Sequence, residues 1–89
     1  MTITDVRVYL KNGHQGLKAF ANLTLDDAFA VHDLKVLEGQ KGLFVSMPAR
    51  KLPNGKYQDI AHAITREMRD LIQGQVLEAY RKATLAPSE

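Results

Sequence analysis

The 89-residue chain predicts an α+β fold: a four- to five-stranded antiparallel sheet with one long C-terminal amphipathic helix packed on it. Three observations carry this reading. The first half alternates apolar and polar residues with a period of two, broken by short turn signals. Pro48 closes that pattern, because proline has no N–H to donate to a ladder. From about Ile64 the apolar period changes to three and four, which is helical.

Each element follows in order. Ile3 to Leu10 places Val6, Val8 and Leu10 on one face and Arg7 and Tyr9 on the other. Asn12-Gly13, with Gly16 behind it, is a hairpin turn signal. Leu17 to Leu25 resumes the alternation, with Leu17, Ala19, Ala21, Leu23 and Leu25 sharing a face. Asp26-Asp27 marks the second turn. In the third strand, about Ala28 to Leu37, Phe29 and Val31 lie in one phase and Leu34 and Val36 in the opposite one. A strand cannot change faces without an extra residue, which predicts a bulge near His32-Asp33. The alternative is a strand apolar on both faces. Gly39 to Gly42 makes the third turn. Leu43, Phe44, Val45 and Met47 are apolar in both phases and predict a short strand with little exposure on either side.

The segment from Pro48 to Lys56 reads as loop, with Pro53-Asn54-Gly55 as a tight turn. It becomes a hairpin arm if Tyr57 to Ile60 forms a short fifth strand. The helical stripe is Ile64, Met68, Leu71, Ile72, Val76 and Tyr80, with Leu77 beside it and Thr65 as N-cap. Its end is expected near Lys82. Gly74 in the interior costs up to ~1 kcal/mol relative to alanine and points to a close contact. One domain therefore spans residues 1–82, and residues 83–89 form a frayed tail.

Composition narrows the function. Apolar residues make up 45% and charged residues 25%, which excludes a disordered chain. With no cysteine, neither a disulfide framework nor a thiolate metal site can stabilise so small a core. Folding at this size buries only ~60–65% of the unfolded surface, so oligomerisation is the expected remedy. The doubly apolar segment Leu43–Met47 supports the same expectation. No apolar run approaches the ~18–20 residues of a membrane span. The opening MTITDVRVYL carries an acid and a base where a signal peptide needs an apolar core. A cytoplasmic chain without a membrane partner is expected.

The net charge of +2 is informative only when divided by position. Residues 1–45 balance five Lys/Arg against five Asp/Glu, and residues 46–89 hold seven against five. Arg50, Lys51 and Lys56 fall within seven residues that contain no acid. Arg66 and Arg69 stand three apart on the first turns of the helix and share a face. Local cationic segments are how proteins bind polyanions; the competing reading is a solvated basic loop and an ordinary amphipathic face. The three tyrosines and three phenylalanines form no stacking pair of the kind that binds single strands.

Enzymatic constellations are largely absent. Ser46, Ser88 and the threonines occupy no nucleophile elbow. His14 lies in a hairpin loop. His32 with Asp33, and His62 with Asp59, offer an imidazole near a carboxylate. However, His32 and Asp33 as strand neighbours point to opposite faces, and no pair of histidines has metal-ligand spacing. No catalytic residue, metal, cofactor or small-molecule substrate is expected.

Two stretches are distinctive as strings: VHDLKVLEGQKGLFVSMPARK at 31–51 and PNGKYQDIAHAITREMR at 53–69. With ITDVRV and FANLTLDDAF they resemble the SpoVG family, stage V sporulation protein G or septation regulator, over residues 1–82. The resemblance implies DNA binding, with RNA binding in some members, and a role in gene regulation, septation, cell division and sporulation. It also implies a homodimer whose sheets join. The family's basic loop matches Ala49-Arg50-Lys51 with Pro53, Asn54 and Gly55, and its helix start matches Ile64 to Arg69. Two positions depart. His62-Ala63 stands where the family usually has His-Pro, which lets the helix begin earlier with Asp59 as its cap. Leu52 replaces the usual threonine and removes one hydroxyl. The nucleic-acid-binding residues expected are Arg50, Lys51, Lys56, Arg66 and Arg69. The rival reading is a protein–protein interaction module in septation whose nucleic-acid affinity is incidental.

Overall fold

The computed structural model describes residues 1–11 and 16–85. The expected turn at Asn12-Gly13, and His14 within it, lie outside the described residues. Strands β1 (Ile3–Leu10), β2 (Leu17–Leu25), β3 (Phe29–Gly39) and β4 (Gly42–Ser46) form an antiparallel meander in the order β1-β2-β3-β4. A separate two-stranded ribbon follows, β5 (Ala49–Lys51) with β6 (Tyr57–Asp59), and then helix α1 (Arg66–Leu85). The fold class is the predicted one, with the fifth and sixth strands paired to each other instead of extending the main sheet.

One face of the sheet makes the core. Ala19, Ala21, Leu23 and Leu25 of β2 are buried with Leu34 and Val36 of β3 and Val45 of β4, and Ile72 and Val76 of α1 close over them. The phase change in β3 is a bulge: Ala21 pairs Leu34 and Leu23 pairs Val31, so His32 and Asp33 together oppose Asn22. Asp33 has φ 68° and its amide donates to Asn22 Oδ1 at 3.3 Å. The extra residue lets Val31 and Leu34 face the same core.

Several expectations need correction. Ala49–Lys51 is strand where loop signals dominated, because Tyr57–Asp59 supplies a partner. Phe44 is 42% exposed, so β4 is covered on one face only; its ring lies over Gly39, within 3.1 Å of where a Cβ would stand. Ile64 is 89% exposed and precedes the helix instead of opening its stripe. The helix does not begin early under an Asp59 cap. Asp59 sits in β6, and the Thr65 hydroxyl accepts from the Met68 amide at 3.1 Å as the N-cap. Gly74 is exposed, and a Cβ there would meet nothing within 4 Å. The helix continues to Leu85, three residues beyond its expected end.

Candidate nucleic-acid interface

The ribbon is built by its turn. Leu52 donates to the Lys56 carbonyl at 2.7 Å and closes a three-residue loop, Pro53-Asn54-Gly55. Inside it, the Gly55 amide donates back to the Leu52 carbonyl at 2.9 Å, and Asn54 Oδ1 accepts from the Lys56 amide at 3.0 Å. Proline presets φ for the first turn position, and Gly55 at φ 87° supplies the left-handed residue such a loop requires. At the other end Ile60 donates to the Pro48 carbonyl at 2.7 Å.

This turn fixes the register, and the register fixes which side chains share a face. Arg50 opposes Gln58, Lys51 opposes Tyr57, and Ala49 opposes Asp59. Strand alternation puts Arg50 and Gln58 on one face, and Lys51, Tyr57, Ala49 and Asp59 on the other. Arg50 Nη2 donates to Gln58 Oε1 at 3.3 Å. All six strand residues are exposed.

The structure thus brings Arg50, Lys51 and Lys56 together on the ribbon. Arg66 and Arg69 stand one turn apart on α1, joined to the ribbon by residues 60–65, and both are exposed. Among the described residues the ion pairs are Arg7–Asp5 at 3.1 Å, Lys18–Glu38 at 3.3 Å and Lys82–Glu78 at 3.6 Å. None uses the five candidate cations, so their charge is free to meet an external anion. Gln58 and Tyr57 escaped charge counting because neither carries charge. Only the cross-strand register reveals them as neighbours of Arg50 and Lys51.

The acid–base candidates do not assemble. His32 and Asp33 are exposed on the bulge, where the alternation that would send them to opposite faces is interrupted. His62 Nδ1 lies 3.2 Å from the Ala63 carbonyl. Neither histidine is paired with its neighbouring carboxylate among the described residues. No group of three His, Asp or Glu among them is placed to hold a metal. His62 instead borders an apolar cavity of about 240 Å³ between the sheet end and the helix start, with Leu25, Phe29, Val31, Met47 and Met68. Among the described residues no helix is long and apolar enough to cross a membrane.

The SpoVG family model matches residues 1–82. A protein of Heliobacterium modesticaldum named "Putative septation protein SpoVG" is 55% identical over 83 residues, covering 93% of this chain and 93% of its own. Proteins of the same name from Lachnospira eligens and Treponema denticola are 53% and 46% identical. The first covers 93% of this chain and 94% of its own, and the second 100% and 96%.

Proposed function

The chain belongs to the SpoVG family, and from that premise we propose that it is a dimeric nucleic-acid-binding regulator acting in septation and cell division. DNA is the principal partner and RNA a second one. The observation that carries the reading is the ribbon: three exposed cations, Arg50, Lys51 and Lys56, on a hairpin that pairs with itself and spends none of them on an internal ion pair. Arg66 and Arg69 add two exposed cations at the helix start.

The mechanism is electrostatic docking. Cations that neutralise n phosphates release condensed counterions, so log K falls against log salt with a slope of about −0.9n on duplex DNA. A two-fold axis doubles the footprint. Phosphate contacts set register and orientation on the duplex. With a net charge of +2 per chain, affinity depends on these local cations and not on a long-range field.

Fluorescence anisotropy across a salt series tests the proposal. Combined Arg50→Ala and Lys51→Ala substitution should weaken binding to every sequence at least tenfold and flatten the salt slope by about 1 for each phosphate contact removed, while Tm stays unchanged because both positions are exposed. Unaltered affinity in the double variant would exclude the ribbon.

One observation favours a second reading. Phe29, 64% exposed, lines the apolar cavity, and Ile60 and Ile64, 68% and 89% exposed, flank the segment 61–63 that borders it; exposed apolar surface of this kind marks protein contacts. On this reading the chain is a septation interaction module with incidental nucleic-acid affinity. It predicts a stoichiometric protein partner that survives nuclease treatment and is lost in Ile64→Lys.

A further inference from the structure

The two faces of the ribbon are chemically unlike, and the difference bears on sequence preference. The face shared by Lys51 and Tyr57 also carries Asp59, opposite Ala49. The other face carries Arg50 and Gln58. Continuing the alternation through the Leu52–Lys56 hydrogen bond adds Leu52 and Lys56 to it, and it contains no acid. Resting on the nucleic-acid reading above, we infer that this acid-free face lies on the floor of the major groove of duplex DNA, with the Arg50–Gln58 pair reading guanine.

Shape comes first. B-DNA's major groove is about 12 Å wide and admits a two-stranded ribbon, whose strands run ~4.8 Å apart. Among the described elements β5 and β6 make one such ribbon outside the main sheet. The orientation within the groove follows from charge. Asp59 would be repelled from the groove's electronegative edges, so its face turns outward and the face of Arg50 and Gln58 turns inward.

The reading chemistry follows from the hydrogen bond between the two side chains. Arginine has donors only, and Gln58 Oε1 is already occupied by Arg50 Nη2 at 3.3 Å. One lone pair of Gln58 Oε1 is thus taken, and what the pair presents is led by the remaining guanidinium N–H groups. Guanine alone offers two acceptors side by side in the major groove, N7 and O6. Adenine places a donor beside its N7, and cytosine presents a donor. The donor fork of Arg50 thus favours guanine over cytosine. The contact also holds the guanidinium in place before DNA arrives, which reduces the side-chain ordering that binding requires. Leu52, where the resemblance led to an expected threonine, adds an apolar surface of the kind that contacts a thymine methyl. Lys56, beside the turn, remains a phosphate contact, and Lys51 reaches the backbone only around the ribbon edge, on its flexible four-carbon stem.

The test is selection from a randomised duplex DNA library, followed by anisotropy on the recovered site and on the same site with its guanines replaced. Wild-type protein should prefer the guanine-containing site roughly tenfold, the scale of one bidentate arginine contact. Arg50→Lys keeps the charge but loses the fork, and should abolish the preference while retaining most of the binding. Gln58→Ala should weaken the preference without altering the salt slope. Lys51→Ala should lower affinity for both sites equally. Site preference unchanged in both Arg50→Lys and Gln58→Ala would overturn the inference while leaving the docking proposal standing. Equal affinity for duplex RNA of the same sequence would overturn it as well, because the deep, narrow A-form major groove excludes side-chain reading. Wild-type protein that binds no nucleic acid at low salt would fail the docking proposal itself, and the inference with it.

Discussion

Gly16 shows how a single backbone position can fix the fit of two strands. It adopts φ 82°, a left-handed conformation that side chains rarely take, and a Cβ there would stand 2.6 Å from the Glu38 carbonyl oxygen. That carbonyl cannot retreat freely, because the Glu38 amide donates to the Gly16 carbonyl at 2.9 Å. Gly16→Ala should therefore destabilise the domain by about 2 kcal/mol through combined strain and overpacking. At 4–8 °C per kcal/mol for a domain of this size, a thermal melt should show a drop of roughly 10 °C. An unchanged Tm would mean that β2 and β3 can slide apart at this end. The opposite end of the meander is held differently. Asp26 and Asp27, at φ 52° and 51°, form the two-residue turn, and Thr2 and Thr4 tie it down. The Thr2 amide donates to Asp26 Oδ1 at 2.8 Å, and the Asp27 amide donates to the Thr4 hydroxyl at 3.0 Å.

At the scale of elements, the helix was legible wherever periodicity met burial and illegible where it did not. Ile72 and Val76 lie in the expected stripe and are buried, since a helix packed on a sheet turns its apolar stripe toward it. Ile64 fits the same spacing but precedes the cap, and Thr65 decides the start because its hydroxyl takes the Met68 amide. Spacing cannot show where the first hydrogen-bonded turn begins; a capping side chain can. The bulge at His32-Asp33 was readable because a phase change allows few backbone solutions. Ribbon register was not, since three-residue strands without apolar alternation carry no periodic signal, and Gln58 became visible only beside Arg50. Gly74 gives the element's own prediction. It faces open space in the helix interior, so no packing offsets its poor propensity. Gly74→Ala should stabilise the protein by up to ~1 kcal/mol, read as a Tm gain of roughly 4–8 °C with nucleic-acid binding unaltered. A loss of stability would show that the exposed helix face is covered in the assembled molecule.

For the whole molecule, the proposed dimer needs a surface that could join two copies. A single helix over four strands buries ten apolar side chains among the described residues, a small core that association would reinforce. Joining sheets requires a free edge, and the two edges differ. The Val45 amide on β4 points outward and donates to Gln73 Oε1 of α1 at 3.1 Å, so the helix closes that edge near its centre. On β1, the Lys11 amide donates to the Lys18 carbonyl at 2.9 Å. Antiparallel pairs alternate between hydrogen-bonded and open, so the backbone groups of Val6, Val8 and Leu10 point away from β2. At Val8 and Leu10, beyond the end of β1 that faces the helix, this row has no strand partner among the described residues and is a template for another strand. Dimerisation through the sheet is therefore expected at β1. Leu10 is half exposed and its N–H takes no part in the β2 ladder, so Leu10→Pro removes an outward donor while sparing the inward ones. Sedimentation at micromolar concentration should report twice the 9.9 kDa chain mass for the wild type. For Leu10→Pro it should report a monomer, or a dissociation constant raised at least tenfold, with the helix signal in circular dichroism retained. Gln73→Ala, which reopens the β4 edge, should leave the dimer intact. A wild-type monomer, or a dimer indifferent to Leu10→Pro, would move the contact to the apolar surface around Phe29 and Ile64.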